Sequence, residues 1–524
     1  MERRNYLRAA AAAGVIALAG CPSRQPDEPE EPTPTPREEP TPSPREERPP
    51  EDELADRFDH EVDLVDEGAD PTGEERINAI LEEALADDTL VRLPEGEYLI
   101  GRVSVEDLSN VGVIGDEATL VLDEPGRGVF LSMQRSQDVL IDGLVVDSTA
   151  ENTAAWLDLR VVGGENVLRD YRVEGFGDVG ARTNGLTVLV EGSDTELLVD
   201  RARLPDGAEN GAATFAFSRS SFDDPDREGG TLTFRDCVMR GWGKEGLYAS
   251  AHPGPLNVIG GEYANNAIVQ VRGGGGDAPN GVLISGVTAI VDEVPSYTPP
   301  YNRTYRGIWL KEGDVGTVRN CTVEIGDIDG GVDGGIVVHR HFGRATIEDC
   351  TIRNAANAPG LSLRTPVDSF QPDSMPSMSD LPADWWVRVR NVTVEGSAPG
   401  TEAVYLSGRD GCLFENLAVD HTGDDGDGMV IQRADRCVLS GGRLIADRHP
   451  LVIEVSGNPR NVTLTDVEAI ESRSLGENGT HVATSIDGQF HLRADRLTDE
   501  GAIALTEQNA NRLYGRPIDD EVFV

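Results

Sequence analysis

The feature that most constrains this chain is a short unit that recurs along most of its length. Two or three alternating apolar residues lead to a small polar residue or glycine, and a second alternating pair follows. Val139-Leu140-Ile141-Asp142-Gly143-Leu144-Val145 and Thr317-Val318-Arg319-Asn320-Cys321-Thr322-Val323 are examples. The central positions are Gly115, Asp142, Asp170, Asp200, Asp236, Gly260, Gly286, Asn320, Asp349, Asn391, Asn416, Gly441, Asp466 and Ala494, and the steps from Asn391 to Asn416, Gly441 and Asp466 are each 25 residues. A unit this short has period-2 alternation and no helix of its own, so it must stack on its neighbours to bury its apolar face. A propeller blade is longer and carries more strands. The pattern predicts an all-β chain, a single-stranded right-handed parallel β-helix of about 13–14 coils.

The start of the body carries a second signal. Val62-Asp63-Leu64-Val65-Asp66-Glu67-Gly68-Ala69-Asp70-Pro71-Thr72-Gly73, then Glu74 to Ala86, then Leu90-Val91-Arg92-Leu93-Pro94-Glu95-Gly96-Glu97-Tyr98-Leu99-Ile100, resembles the N-terminal segment of the pectate-lyase superfamily. The resemblance implies the pectin-lyase fold and brings no catalytic residue with it. Thr72 and Glu75 have capping-box spacing, and Ile77, Ile80, Leu81, Ala84 and Leu85 form one apolar stripe. These predict a helix covering the open end of the solenoid, where core and strand edges are otherwise exposed. The expected organisation is a cap over residues 57–105, the β-helix over 106–505 and a C-terminal cap or tail over 506–524. Long intervals locate excursions at Pro205 to Gly229, Asp292 to Arg306 and Thr365 to Trp386; the last, with Trp385 and Trp386, reads as a lid or wall.

Ahead of the body, Arg3-Arg4-Asn5-Tyr6-Leu7-Arg8 resembles a twin-arginine export signal, and Ala9 to Ala19 is too short to span a bilayer comfortably. Leu18-Ala19-Gly20-Cys21 resembles a lipobox, which implies lipidation at Cys21 and a lipoprotein held on the outer face of the cytoplasmic membrane. Residues 22–56 form a Pro/Glu/Thr-rich linker that favours extended conformations over a packed core. The remaining five cysteines are odd in number, lack a CxxC and share a local frame, so buried free thiols are expected rather than a complete disulfide framework or zinc.

Charge bounds the partners. The chain carries 93 acidic against 46 basic residues, for a formal charge of -47, and only Lys244 and Lys311 are lysines. Such a surface repels itself unless salt screens it, which points to a salt-adapted protein of halophilic archaeal type. Nucleic acid is excluded as a partner for want of a basic footprint.

Each unit also holds a second strand, typically glycine followed by alternating apolar residues. If its aliphatic positions point inward, the others line one outer face. There lie Tyr248, Ser250, His252, Gln270, Arg272, Trp309, Lys311, His339, His341, Arg364, Tyr405, Arg409 and Gln432. Stacked strands are about 4.8 Å apart, so His252 to Arg409 spans on the order of 25 Å, enough for several sugars of an acidic polysaccharide. His252, Arg272, Trp309, Tyr405 and Arg409 are the expected substrate contacts. Lys311, His339, His341 and Arg364 are the candidate bases, because lyases of this fold use a basic side chain to remove the proton beside a uronate carboxylate. Recognisable pectate-lyase arginine signatures are missing. Asp327, Asp329 and Asp333 in one turn, and Asp424, Asp425 and Asp427 in another, are candidate calcium ligands. Gly423-Asp424-Asp425 faintly resembles the polygalacturonase aspartate pair, without its companion motifs. Asn302 and Asn478 are the glycan candidates outside the repeat. Two function classes stay open: a polysaccharide lyase or glycosidase, and a non-catalytic surface, adhesion or scaffold protein.

Overall fold

The computed structural model describes residues 56–454, 461–471 and 491–494, apart from 124–127, 178–182, 217–227, 296, 298–303 and 329. It is a right-handed parallel β-helix of about 14 turns. Each turn contributes to three parallel sheets. The first runs from His60–Asp63 through Thr89–Leu93, Val111–Gly115 and Leu140–Asp142 to His491–Ala494. The second starts at Thr72–Arg76 and Gly96–Ile100, and the third at Val103–Glu106 and Val129–Gln137. Alternate residues of most strands enter one continuous core, from Leu64 to Ala469, of mainly Val, Leu, Ile and Ala.

The sequence marker is the corner between the first and second sheets. Asp170, Asp236, Gly260, Gly286, Asn320, Asp349, Asn391, Asn416, Gly441 and Asp466 all have φ between 50° and 70°. In this left-handed region a Cβ crowds the backbone, and only Gly, Asn and Asp enter it readily. At three coils the marker falls early: Gly143, Arg201 and Glu117 make the turn, one, one and two residues after Asp142, Asp200 and Gly115, while Asp142 and Asp200 are buried beside it. Asp142 accepts from Arg169 at 2.5 Å, and Asp200 from Arg201 and Arg235 at 2.5 and 2.8 Å. Where corners stack, their side chains link into a ladder, Asn416 donating to Asn391 at 3.1 Å and Asn391 to Asp349 at 3.0 Å.

The first coil corrects one expectation. Thr72 and Glu75 do not form a capping box, because Thr72–Arg76 is a strand and the α-helix spans Asn78–Ala84 with no side-chain cap. The Asp70 carboxylate takes the Thr72 hydroxyl and the amides of Thr72, Glu74 and Glu75 instead, which lowers its pKa to about 2. The apolar stripe holds: Ile77, Leu81 and Leu85 are buried, with Ile80 and Ala84 packed on the same core. Lying between strands of the second and first sheets and against Val103–Glu106, the helix fills the third sheet's place in the first coil.

The five cysteines are buried and free, and their common frame holds locally, each directly following a left-handed residue, but it serves two different corners. Cys237, Cys321 and Cys350 directly follow the left-handed corner, whereas Cys412 and Cys437 stand at the entry to strands of the first sheet. Cys21, the C-terminal cap, and glycan candidates Asn302 and Asn478 lie outside the described residues.

The corner geometry sets a test. Asn320→Gly is expected to change stability by only a few tenths of a kcal/mol, while Asn320→Val, β-branched at φ 53°, should cost about 1–2 kcal/mol in denaturant unfolding.

Candidate functional site

The site grows from the register of the third sheet. Strand pairing aligns Phe215, Tyr248, Arg272, Trp309, Val337, Ser362 and Tyr405 in successive coils. This is the outward row that period-2 alternation predicts. The Phe215 and Tyr248 rings lie 4.8 Å apart, and the Arg272 guanidinium is 3.8 Å from the Tyr248 ring centre and 4.8 Å from that of Trp309.

Two strands position the chemistry. Thr304–Arg319 and Gly331–Glu348 run without a break from the third sheet around the corner into the first. Their mutual register slips between Tyr305 and Arg306 and again between Leu310 and Glu312. Such irregularities re-aim side chains. They bring Arg306 and Glu312 to the site although strict alternation assigns both to the inside, which is why sequence reasoning missed them. Glu245, which bonds Arg272 at 3.3 Å, also carried no sequence signal.

Four cations, Arg272, Arg306, Lys311 and Arg364, thus gather with three carboxylates, Glu245, Glu312 and Asp333. Lys311 Nζ donates to Glu312 at 3.0 Å, to His341 Nδ1 at 3.2 Å and to the Ser374 carbonyl at 2.7 Å. Because an ammonium only donates, His341 Nδ1 must accept, and its Nε2–H faces Gln371 Oε1 at 3.2 Å. His339 packs edge-on against Trp309 and His341, at 5.3 and 4.8 Å between ring centres. Asp333 is clamped by Arg306 and by Arg364 at 2.9 Å. Burial first, then the neighbouring cations Lys311, Arg364 and Arg306 together with His341, push the His339 pKa far down; burial and Lys311 lower that of His341 to about 4. Burial also lowers Lys311 and raises Glu312. Both imidazoles are therefore neutral at pH 7.

The excursion from Thr365 to Trp386 is a wall. Its Val367, Met375 and Met378 make a small core with Phe370, Leu381 and Trp385. Ser377 bonds the Ser250 carbonyl at 3.1 Å, and Ser379 bonds Asp277 through its amide and hydroxyl at 2.7 and 2.6 Å. Ser374 and Gln371 lie against Lys311 and His341, which are buried as a result. Of the candidate bases, His339 and Arg364 keep partial exposure.

Several expected contacts need correction. Trp309 is buried among Val269, Val337 and Ile268, with Arg306 4.1 Å from its ring centre, so it offers no open platform to a sugar. His252 is buried, its Nε2 2.9 Å from the Gly230 carbonyl, because the chain turns inward after Tyr248. Arg409 is fully buried at the next corner and donates to five carbonyls: Arg364, Gly343, Trp385, His339 and Phe342, at 2.7–2.9 Å. It positions the His339 strand and both ends of the wall rather than touching substrate. Arg272 and Tyr405 remain part-exposed on the outer face, Tyr405 donating to Gln432 at 2.8 Å.

Among the described residues neither calcium set comes together as a ligand cluster. Asp333 answers two arginines, and Asp427 is held by Arg448 and by His449 at 3.0 Å. Asp327, Asp424 and Asp425 are exposed, and Asp329 lies outside the described residues. Among the described residues no group of three His, Cys, Asp or Glu side chains is arranged to hold a metal.

No protein-family model and no curated protein matches the chain. Similar solved structures include PfbA, a surface adhesin of Streptococcus pneumoniae, with 12% identity over 83% of this chain and 99% of that one and a TM-score of 0.36. The A-module of a mannuronan C-5 epimerase from Azotobacter vinelandii has 11% identity, coverage of 82% and 99%, and a TM-score of 0.31. The catalytic unit of a thermostable α-1,3-glucanase from Streptomyces thermodiastaticus has 15%, 84% and 68%, and 0.35. These neighbours are right-handed parallel β-helix proteins.

Two outcomes follow from the geometry. Arg409→Met should destabilise the fold by about 3–5 kcal/mol in denaturant unfolding, and Arg409→Lys should not restore it, since three donors cannot serve five carbonyls. Between pH 6.5, where the unfolded imidazole titrates, and about 4, the unfolded chain binds a proton that folded His341 refuses, so stability falls as pH falls. His341→Gln should flatten that decline by about 1–3 kcal/mol in unfolding curves at pH 7 and pH 4.5.

Proposed function

We propose that the outer face of the third sheet, around Arg272, His339, Arg364 and Tyr405, binds an acidic polysaccharide. One observation carries this reading: a chain of formal charge -47 places four cations and two neutral histidines around three carboxylates, leaving a local excess of positive charge. A cluster that served only as ion pairing would balance, and scattered surface pairs contribute little anyway. Carboxylates or sulfates of a glycan complete the charge balance, with Tyr405 and Gln432 offering hydroxyl and amide groups to the sugar ring. The twin-arginine-like leader and the Cys21 lipobox support placing the protein outside the cell, anchored to the membrane by lipid alone.

In a cleaving version of this reading His339 is the base. Its imidazole is neutral and part-exposed, and Arg364 stands close enough to weaken it electrostatically. A uronate carboxylate bound by Arg364 would neutralise that repulsion and raise the His339 pKa toward the range a general base needs. Lys311 and His341, sealed by the wall, then serve to hold charge and orientation. That sealing also favours the rival reading, a non-catalytic binding face, because two of the four candidate bases are withdrawn from solvent.

The test is titration calorimetry of the full chain in molar salt against polyuronates, sulfated glycans and a neutral glucan, with ultraviolet detection of unsaturated uronate ends. Binding to the acidic polymers alone is expected, weakened about ten-fold by Arg364→Ala. Loss of unsaturated products in His339→Ala with binding retained supports the lyase; binding without products in wild type supports the non-catalytic face. Equal affinity for the neutral glucan would overturn the assignment.

A further inference from the structure

Parallel stacking brings two pairs of buried cysteines together. Thr322 pairs with Thr351 in the second sheet, so Cys321 and Cys350, one residue earlier, stack in adjacent coils, and the Thr351 amide bonds the Cys321 carbonyl at 3.0 Å. At the opposite corner Leu413 pairs with Val438, which stacks Cys412 on Cys437, and the Val438 amide bonds the Cys412 carbonyl at 2.9 Å. All four thiols are buried and all belong to the same core. Cys412 and Cys437 also point to one acceptor, the Arg409 carbonyl, at 3.5 and 3.8 Å.

Cysteine five is the internal control. Cys237 occupies the same corner as Cys321 and Cys350, but its stacked neighbours are Ala202 and Gly261. It has no cysteine above or below it.

We propose that Cys321–Cys350 and Cys412–Cys437 are sites of two coil-to-coil disulfides, and that Cys237 stays a thiol. The inference rests on register and not on the glycan reading. Adjacent parallel strands set the Cα atoms about 4.8 Å apart, inside the 4.4–6.8 Å that disulfides span. Their Cβ atoms point the same way into the core at a similar separation, a few tenths of an ångström beyond the usual 3.5–4.5 Å, a gap that small χ1 rotations and a slight approach of the coils close. Each bridge forms one S–S bond. Its two thiols give two electrons and two protons to an organic disulfide such as oxidised glutathione, which leaves as two thiols. Because the native thiols are out of reach of solvent, the exchange takes place before the coils close. Each bridge then ties one coil to the next at a corner, the second of them beside Arg409, which holds the wall and the His339 strand.

The experiment is refolding of the reduced, denatured full chain in molar salt with a mixture of reduced and oxidised glutathione. Alkylation in denaturant and peptide mass spectrometry without reduction then identify the pairs, with a refold in reductant alone as reference. Expected are peptides linked through Cys321–Cys350 and Cys412–Cys437, an alkylated Cys237, and a urea midpoint above that of the reduced reference. Cys350→Ser should lose the first link and keep the second; Cys437→Ser should do the reverse. Alkylation of all four cysteines, glutathione adducts in place of links, or a link involving Cys237 or joining the two corners would overturn the proposal.

Discussion

Every coil of this protein must return to the place where the previous one began, about 4.8 Å higher, and the corner between the first and second sheets is where that return is enforced. From Glu117 to Asp466 one or two left-handed residues at this corner bend the chain in each coil without spending a loop. The requirement is local and chemical: a side chain with a free-standing Cβ strains the corner, whereas Gly, Asn and Asp do not. Once that turn is fixed, the strands on either side are in register by necessity, and register decides which side chains meet. The core, the asparagine ladder, the cysteine pairs and the outward row of the third sheet are all consequences of one repeated backbone conformation.

Parallel stacking makes like positions neighbours, which is a difficulty for a chain with twice as many acids as bases. Carboxylates at equivalent places in successive coils repel one another. Arginines inserted between them answer this: Arg353 reaches Glu324 in the coil before and Glu395 in the coil after, and Arg92 lies between Glu61 and Asp116 in the same way. Exposed pairs of this kind each contribute about 0–1 kcal/mol. Their importance lies in relieving repulsion along the rod, which screening by salt also does. Against that background the Arg272 to Arg364 cluster stands out, because there the cations exceed the acids.

Legibility in the sequence followed the same physics. Asn320, Asp349, Asn391, Asn416 and Gly441 could be read as corners because few residue types tolerate that conformation. Trp309, Lys311, His339 and Arg364 could be assigned to one region because alternation holds within a strand. Alternation fails at corners and bulges, where the parity resets. That is why His252 and Arg409, four and two positions past the ends of their strands, turned inward, and why Arg306 and Glu312 were missed. The partners of Asp333 and Asp427 were illegible for another reason: they come from adjacent coils, and excursions of unequal length hide the register between them. At Thr72, a spacing that suits a capping box lost to Asp70, whose carboxylate lies nearer to the same amides.

Arg409 shows how the departures from regularity are held. In a regular coil each strand carbonyl is taken by the next coil, but the bulged corner at His339 to Gly343 and the two ends of the wall leave carbonyls facing inward. One guanidinium collects them, with Nε on Arg364, Nη1 on Gly343 and Trp385, and Nη2 on His339 and Phe342, so that all five of its donors are used. No other side chain presents five donors in a plane. The charge itself is compensated by carbonyl dipoles, and burial brings its pKa down only to about 10, so it remains a cation. A fixed positive charge beneath the His339 strand, in a low-dielectric interior, adds to the field of the Arg272, Arg306, Lys311 and Arg364 cluster. The residue that lets the chain leave the repeat at this place therefore also strengthens the positive field of the face proposed to bind an acidic glycan.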